Sequence, residues 1–198
     1  MTKIADYRSI FLLPTRTWTL EDYHAMIEAG ILTSEDRVEL LFGQIVEMNP
    51  VGRAHSTTVK KINKFLNQRL SGDDFVIGIQ DPVTLVDSSE PEPDVYVVKG
   101  PLEQYLDHHP GPEDILLLIE VSDSTLEKDK GAKKVNYAQA GIKEYWIIDV
   151  YARQILRYVD PDPDTSTYLN DSVHEEGGTI DSLLLGSFNV NDLVVTYE

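Results

Sequence analysis

The chain has 198 residues, 41% of them hydrophobic, with 17 Lys and Arg against 34 Asp and Glu and a formal net charge of -17. That length suits one domain with a sizeable core, and the charge argues against indiscriminate binding to nucleic acid over the whole surface. The lack of cysteine excludes disulfides and thiolate metal sites, and the five histidines show no zinc spacing; any metal would be held by oxygen, which points to Mg²⁺ or Mn²⁺.

Residues 1-16 lack periodicity and read as an amino-terminal arm, with a single domain over 17-198. The amino terminus has no secretory pattern and the apolar runs are too short to span a bilayer, so the expectation is a cytoplasmic protein with no membrane contact. Thr19 and Asp22 form a capping box for a short helix with Leu20, Tyr23, Met26 and Ile27 on one face and Gly30 as its stop. Arg37 to Met48 reads as two strands turning near Phe42 and Gly43, or as one bent strand. Within it Glu39 sits between Val38 and Leu40, either as an edge residue facing water or as part of a site.

After a turn at Pro50 and Gly52, Ser56 is expected to cap a helix running to about Leu70. Val59, Ile62, Leu66 and Leu70 point inward there, and Lys60, Lys61, Lys64 and Arg69 mostly outward. His55 falls just before that cap. Short strands follow at Phe75-Ile79 and Pro82-Val86, and then Pro91 and Pro93 stiffen the approach to Asp94, which opens the strand Val95-Val98. Leu102-Leu106 suggests a turn or two of helix, and His108-Pro112 a loop.

The centre of the chain is Asp114 to Val150. The apolar run Ile115-Ile119 is long enough for a covered strand, and it ends in Glu120, an acid that needs a partner if buried. Ser124 or Thr125 caps the next helix, Gly141 stops it, and Tyr145-Ile148 is a second strand, so the unit predicts two parallel strands joined across a helix. Gln154-Val159 adds another strand and DPDPDTS an acidic loop without EF-hand spacing. The tail from Thr179 alternates weakly and is expected to close an edge of the sheet. Windows 53-70 and 128-143 hold ten of the 17 basic residues and one acid, Asp129, so two basic helices could form a local polyanion-binding face on an acidic protein.

A hydrolytic phosphodiester site needs carboxylates around a divalent ion and a cation against the developing charge. Asp94 and Glu120 supply the acids if their strands are neighbours, and the carbonyl of Val121 adds an oxygen. The usual D…ExK spacing would put lysine at 122, where this chain has Ser122. Lys128, Lys130, Lys133 and Lys134 lie just downstream. Asp129, Lys133 and Tyr137 share a helical stripe, and by spacing either Lys133 or Lys134 reaches the acids.

The segments RVELLFGQIVEMNP, GRAHS, EPEPDVYVV and EVSDSTLEKDKGAKKVNYAQAGIKEYWIID together resemble the Uma2 family, common in cyanobacteria, over roughly residues 17-160. That resemblance implies an α/β fold of the restriction-endonuclease-like, PD-(D/E)xK class, with a mixed central sheet flanked by helices, and a homodimer. It implies that Asp94 and Glu120 are the metal-site acids and that Glu39 and His55 belong to the site. It also favours Lys133 as the displaced nuclease lysine.

The resulting expectation is a Mg²⁺- or Mn²⁺-dependent endonuclease acting on nucleic acid, DNA before RNA. Asp94, Glu120, the Val121 carbonyl and Glu39, directly or through water, would hold the ion. Lys133 would stabilise the oxyanion or orient the water, His55 would position water or touch phosphate, and the basic helix 56-70 would hold the backbone. The alternative is a module that binds nucleic acid or protein without cutting.

Overall fold

The computed structural model describes residues 15-70, 72-86 and 88-195. The expected arm lies, as far as residue 14, outside the described residues. The chain runs α1 (Leu20–Glu28), β1 (Val38–Leu41), β2 (Gln44–Glu47), α2 (Arg53–Arg69), β3 (Phe75–Gly78), β4 (Val95–Lys99), a 3-10 turn (Leu102–Tyr105) and β5 (Ile115–Ser122). It continues through α3 (Leu126–Lys128), a π-helical turn (Asp129–Lys133), α4 (Lys134–Gln139), β6 (Glu144–Asp149), β7 (Gln154–Asp162), β8 (Thr167–Glu175), β9 (Thr179–Ser182), β10 (Gly186–Asn189) and α5 (Val190–Leu193).

Six strands form one sheet in the order β3-β4-β5-β6-β7-β8. The pair β5-β6 is parallel and the others antiparallel, as the strand, helix, strand reading required. Alternate side chains sort onto two faces. Val95, Val97, Ile119, Val121, Trp146 and Ile148 pack with Val59, Ile62 and Leu66 of α2. Tyr96, Val98, Leu118, Tyr145 and Ile147 pack with Tyr137 of α4. The two basic helices therefore cover opposite faces of the sheet.

Several local expectations change. The helix expected from Ser56 begins at Arg53, because the amide of Ser56 already closes a turn onto the carbonyl of Gly52 at 3.0 Å. His55 therefore lies inside the first turn of α2. Pro82-Val86 is not a strand: its amides bond irregularly to Pro91, Pro110 and Ser89, although Val83 and Leu85 are buried. β7 runs on through Asp160, Pro161 and Asp162, which shortens the acidic loop, and β8 pairs along it. The tail does not add to the main sheet. It forms a separate β9-β10 hairpin and packs Ile180, Phe188, Val190 and Leu193 into the α2 core. That packing also brings Lys61 Nζ onto the Asn191 carbonyl at 2.6 Å, so this half-buried lysine is tied to the tail.

The α1 capping box forms as expected, and Tyr23 is the buried residue of its apolar face. Among the described residues no helix is long and apolar enough to cross a membrane.

Candidate active site

Four elements converge at one end of the β4-β5 pair. In the antiparallel register Val95 faces Ile119, so Asp94, one residue before β4, lies beside Glu120 on β5. The amide of Val121 donates to Asp94 Oδ2 at 2.8 Å and ties the two strands at that point. Opposite them the β1-β2 hairpin delivers Glu39, and the helical segment after β5 delivers Lys128, Asp129, Lys133 and Tyr137. These side chains, with His55 and Gln80, surround a pocket of about 290 Å³, except Tyr137, which stands behind it.

Lys133 settles which lysine reaches the acids. Its Nζ is 2.7 Å from Glu120 Oε1 and 3.3 Å from Glu39 Oε2, and its side chain is 6% exposed. Lys134 instead lies over the ring of Tyr158. The π turn carries both Asp129 and Lys133 toward the sheet, and such turns recur at functional sites because they re-aim side chains within a helix. Ser122 occupies the strand position of the usual lysine. It donates to Asp129 Oδ2 at 2.6 Å, and Thr125 Oγ1 does the same at 2.6 Å. Thr125 precedes α3, and its hydroxyl is committed to this carboxylate rather than to capping the helix.

Glu39 is wholly buried. Its Oε1 accepts from Lys128 Nζ at 2.7 Å and its Oε2 from the Glu92 amide at 3.2 Å. Burial acts to raise its pKa, but Lys133 and Lys128 outweigh it and hold the carboxylate below its ordinary range. Both oxygens are thus engaged by protein groups, and the edge-residue reading of Glu39 is excluded.

Asp94 also stays ionised. Burial alone would raise its pKa, yet the bond and charge from His55, the Val121 amide and Lys133 together lower it. His55 Nε2 lies 2.9 Å from Asp94 Oδ1, and Gln80 Nε2 donates to the same oxygen at 3.2 Å. Burial would lower the His55 pKa, but Asp94, Asp123 and Asp129 raise it on balance, favouring imidazolium.

Glu120 differs from its neighbours. Burial, with Asp94 and Asp129 adding to it, pushes its pKa well up against the pull of Lys133. Lys133 is itself raised, since Glu120 and Glu39 outweigh the effect of burial. Oε1 accepts from both Lys133 and the Tyr137 hydroxyl, at 2.7 and 2.6 Å, and Oε2 makes no hydrogen bond among the described residues.

The donor set fits a hard divalent cation held by two carboxylates. Among the described residues no three His, Asp or Glu side chains converge as a metal cage. Asp94 and Glu120 lie side by side, and one or two carboxylates are what magnesium, which keeps several waters, ordinarily takes from protein.

The structure thus places Glu39, His55, Asp94, Glu120 and Lys133 on one pocket, and of Val121 it shows the amide bonded to Asp94. Sequence reasoning missed Gln80, Glu92 and Asp123 on the pocket wall, and assigned no separate role to Lys128. Gln80 has φ of 54° and enters from an irregular bend, a placement that no local pattern marks.

The Uma2 family profile, described as "Putative restriction endonuclease", matches residues 20-193. A solved structure described as a "putative nuclease belonging to DUF820" from Anabaena variabilis ATCC 29413 aligns with a TM-score of 0.64 and 16% identity. The alignment covers 88% of this chain and 96% of that one, a likeness of fold. No curated protein matches the sequence.

Proposed function

The chain belongs to the Uma2 family, and from that premise and the pocket chemistry we propose that it is a divalent-metal-dependent endonuclease hydrolysing phosphodiester bonds, in DNA before RNA. The observation that carries this reading is the buried constellation itself: Asp94 beside Glu120 on paired strands, with the Lys133 ammonium 2.7 Å from Glu120. Four largely buried acids, Glu39, Asp94, Glu120 and Asp129, around one buried lysine are costly to fold, and such arrangements concentrate where chemistry requires them.

In this reading Asp94, Glu120 and the Val121 carbonyl would hold Mg²⁺ or Mn²⁺. When bound, the cation supplies charge neutralisation and lowers the pKa of water. The protein groups do the rest. Tyr137 and Lys133 fix one oxygen of Glu120 and leave the other for a ligand. His55 and Gln80 hold Asp94 in place. Lys133 sets its ammonium against the negative charge on the phosphoryl oxygens as the water oxygen bonds to phosphorus, giving its proton to solvent, and the ester oxygen departs with the bonding pair, to be protonated by solvent. Because Glu39 is wholly buried and paired with both Lys128 and Lys133, its role is to hold Lys133 charged and in position rather than to bind the ion directly.

The test is cleavage of labelled DNA and RNA with Mn²⁺ or Mg²⁺, alongside calorimetric titration of Mn²⁺. Wild-type protein should bind Mn²⁺ and cut, whereas Glu120→Ala should do neither. Cleavage at the wild-type rate by Glu120→Ala would sink the assignment. Metal-independent binding of nucleic acid without hydrolysis would favour the non-cutting module instead.

A further inference from the structure

We propose, resting on the nuclease reading above, that Lys128 is the substrate-anchoring cation of this site: it is held on Glu39 in the free protein and moves to a phosphate oxygen of the entering strand.

The two lysines that meet Glu39 are not equivalent. Lys133 is 6% exposed and shared between Glu39 and Glu120, so two of its three donors are held inside the network and one is left for the reacting centre. Lys128 is 27% exposed, lines the pocket, and makes one contact among the described residues, to Glu39 Oε1 at 2.7 Å. An ammonium has three donors, so two of those on Lys128 remain for a ligand.

Glu39 can release Lys128 without being left unpaired. Its other oxygen keeps the Glu92 amide and Lys133, at 3.2 and 3.3 Å. Release costs Oε1 its one hydrogen bond, a loss that the charge-assisted bond from Lys128 to the phosphate oxygen offsets.

The pocket also has an electrostatic need for such a group. Its wall carries Glu92, Asp94, Glu120, Asp123 and Asp129, which repel a phosphodiester. Lys133 faces the acids from within. A second, more exposed ammonium at the wall gives the anion a partner before it reaches the reacting centre. Lys128 is therefore a binding residue for the phosphate, and its loss weakens the substrate complex more than the chemical step.

The experiment measures binding of a fluorescein-labelled single-stranded oligodeoxynucleotide and its duplex, with Ca²⁺ in place of Mg²⁺, over a series of salt concentrations. Wild type, Lys128→Ala and Lys128→Arg are compared, and steady-state cleavage is followed in Mn²⁺. Lys128→Ala should weaken binding about tenfold and reduce the log-log salt slope by about 0.7 to 0.9, the loss of one phosphate contact. In Mn²⁺ it should raise KM with kcat near wild type, and Ca²⁺ affinity by calorimetry should not change. Lys128→Arg should restore affinity and slope, which a simple loss of folding would not permit. An unchanged affinity and slope in Lys128→Ala, with cleavage intact in the wild type, overturns the Lys128 role alone. Wild-type protein that binds neither oligonucleotide overturns the nuclease reading and this proposal with it.

Discussion

Lys133 is the residue on which the other charges of the site depend. It lies between two acids that are almost entirely inaccessible to water, and removing it leaves Glu39 with one lysine and Glu120 with none. Breaking a buried ion pair from one side costs about 3-5 kcal/mol. Lys133→Met should therefore lower the unfolding free energy of the metal-free protein, read from urea denaturation, by that amount, and adding Glu120→Gln should recover a large part of the loss. Purely additive losses in the double variant would mean that Lys133 acts through packing rather than charge. Tyr137 offers a smaller test of the same network. Its hydroxyl donates to Glu120 at 2.6 Å inside a fully buried ring cluster, so Tyr137→Phe should cost about 1.5-3 kcal/mol in chemical denaturation. A change within experimental error would show that Lys133 alone satisfies that oxygen.

At the scale of elements, the β1-β2 hairpin exists to bring Glu39 inward, and its turn is strained. Leu41 pairs with Gln44, leaving the two-residue loop Phe42-Gly43 with φ of 51° and 69°. A loop with both residues in the left-handed region favours Asn-Gly, so Phe42→Asn should raise the thermal midpoint. The opposite change, Gly43→Ala, adds a Cβ 2.9 Å from Thr17 Cβ and from the Trp18 carbonyl in that same region. It should destabilise by about 1-2 kcal/mol or more and loosen Glu39 with it. Equal midpoints for Gly43→Ala and wild type would show that the hairpin shifts freely. Much of this level was legible in the sequence. The capping box at Thr19, the turn at Phe42 and Gly43, the parallel strands either side of the 126-139 helical segment and the acids on β1 and β5 all follow from local pattern. What was not legible depended on distant partners. β8 reads as polar because it is an edge strand paired only with β7. The π turn leaves no signature in residue type, and Gln80 comes to Asp94 through a bend set by tertiary contacts. Lys133 and Lys134 were separable only once the helix had a sheet to face.

At the scale of the whole molecule, the placement of α2 decides where nucleic acid can lie. The sequence invites a path along its lysines, but α2 covers the face of the sheet opposite Lys133 and Tyr137, and only its amino-terminal end, at Gly52 and His55, reaches the pocket. At 1.5 Å per residue Lys64 lies about 14 Å along the helix from His55, beyond a Debye length at physiological salt. On a chain of net charge -17 the cations that matter are those at the pocket wall, Arg37 and Lys128, where the acids of the site would otherwise repel phosphate. Arg37→Ala should therefore weaken binding of a labelled oligonucleotide in Ca²⁺ several-fold at moderate salt, while the double variant Lys64→Ala with Arg69→Ala should change it less than twofold. The reverse ranking would put the strand along the outer face of α2, and would require the substrate to turn over the helix's amino-terminal end to reach Asp94 and Glu120.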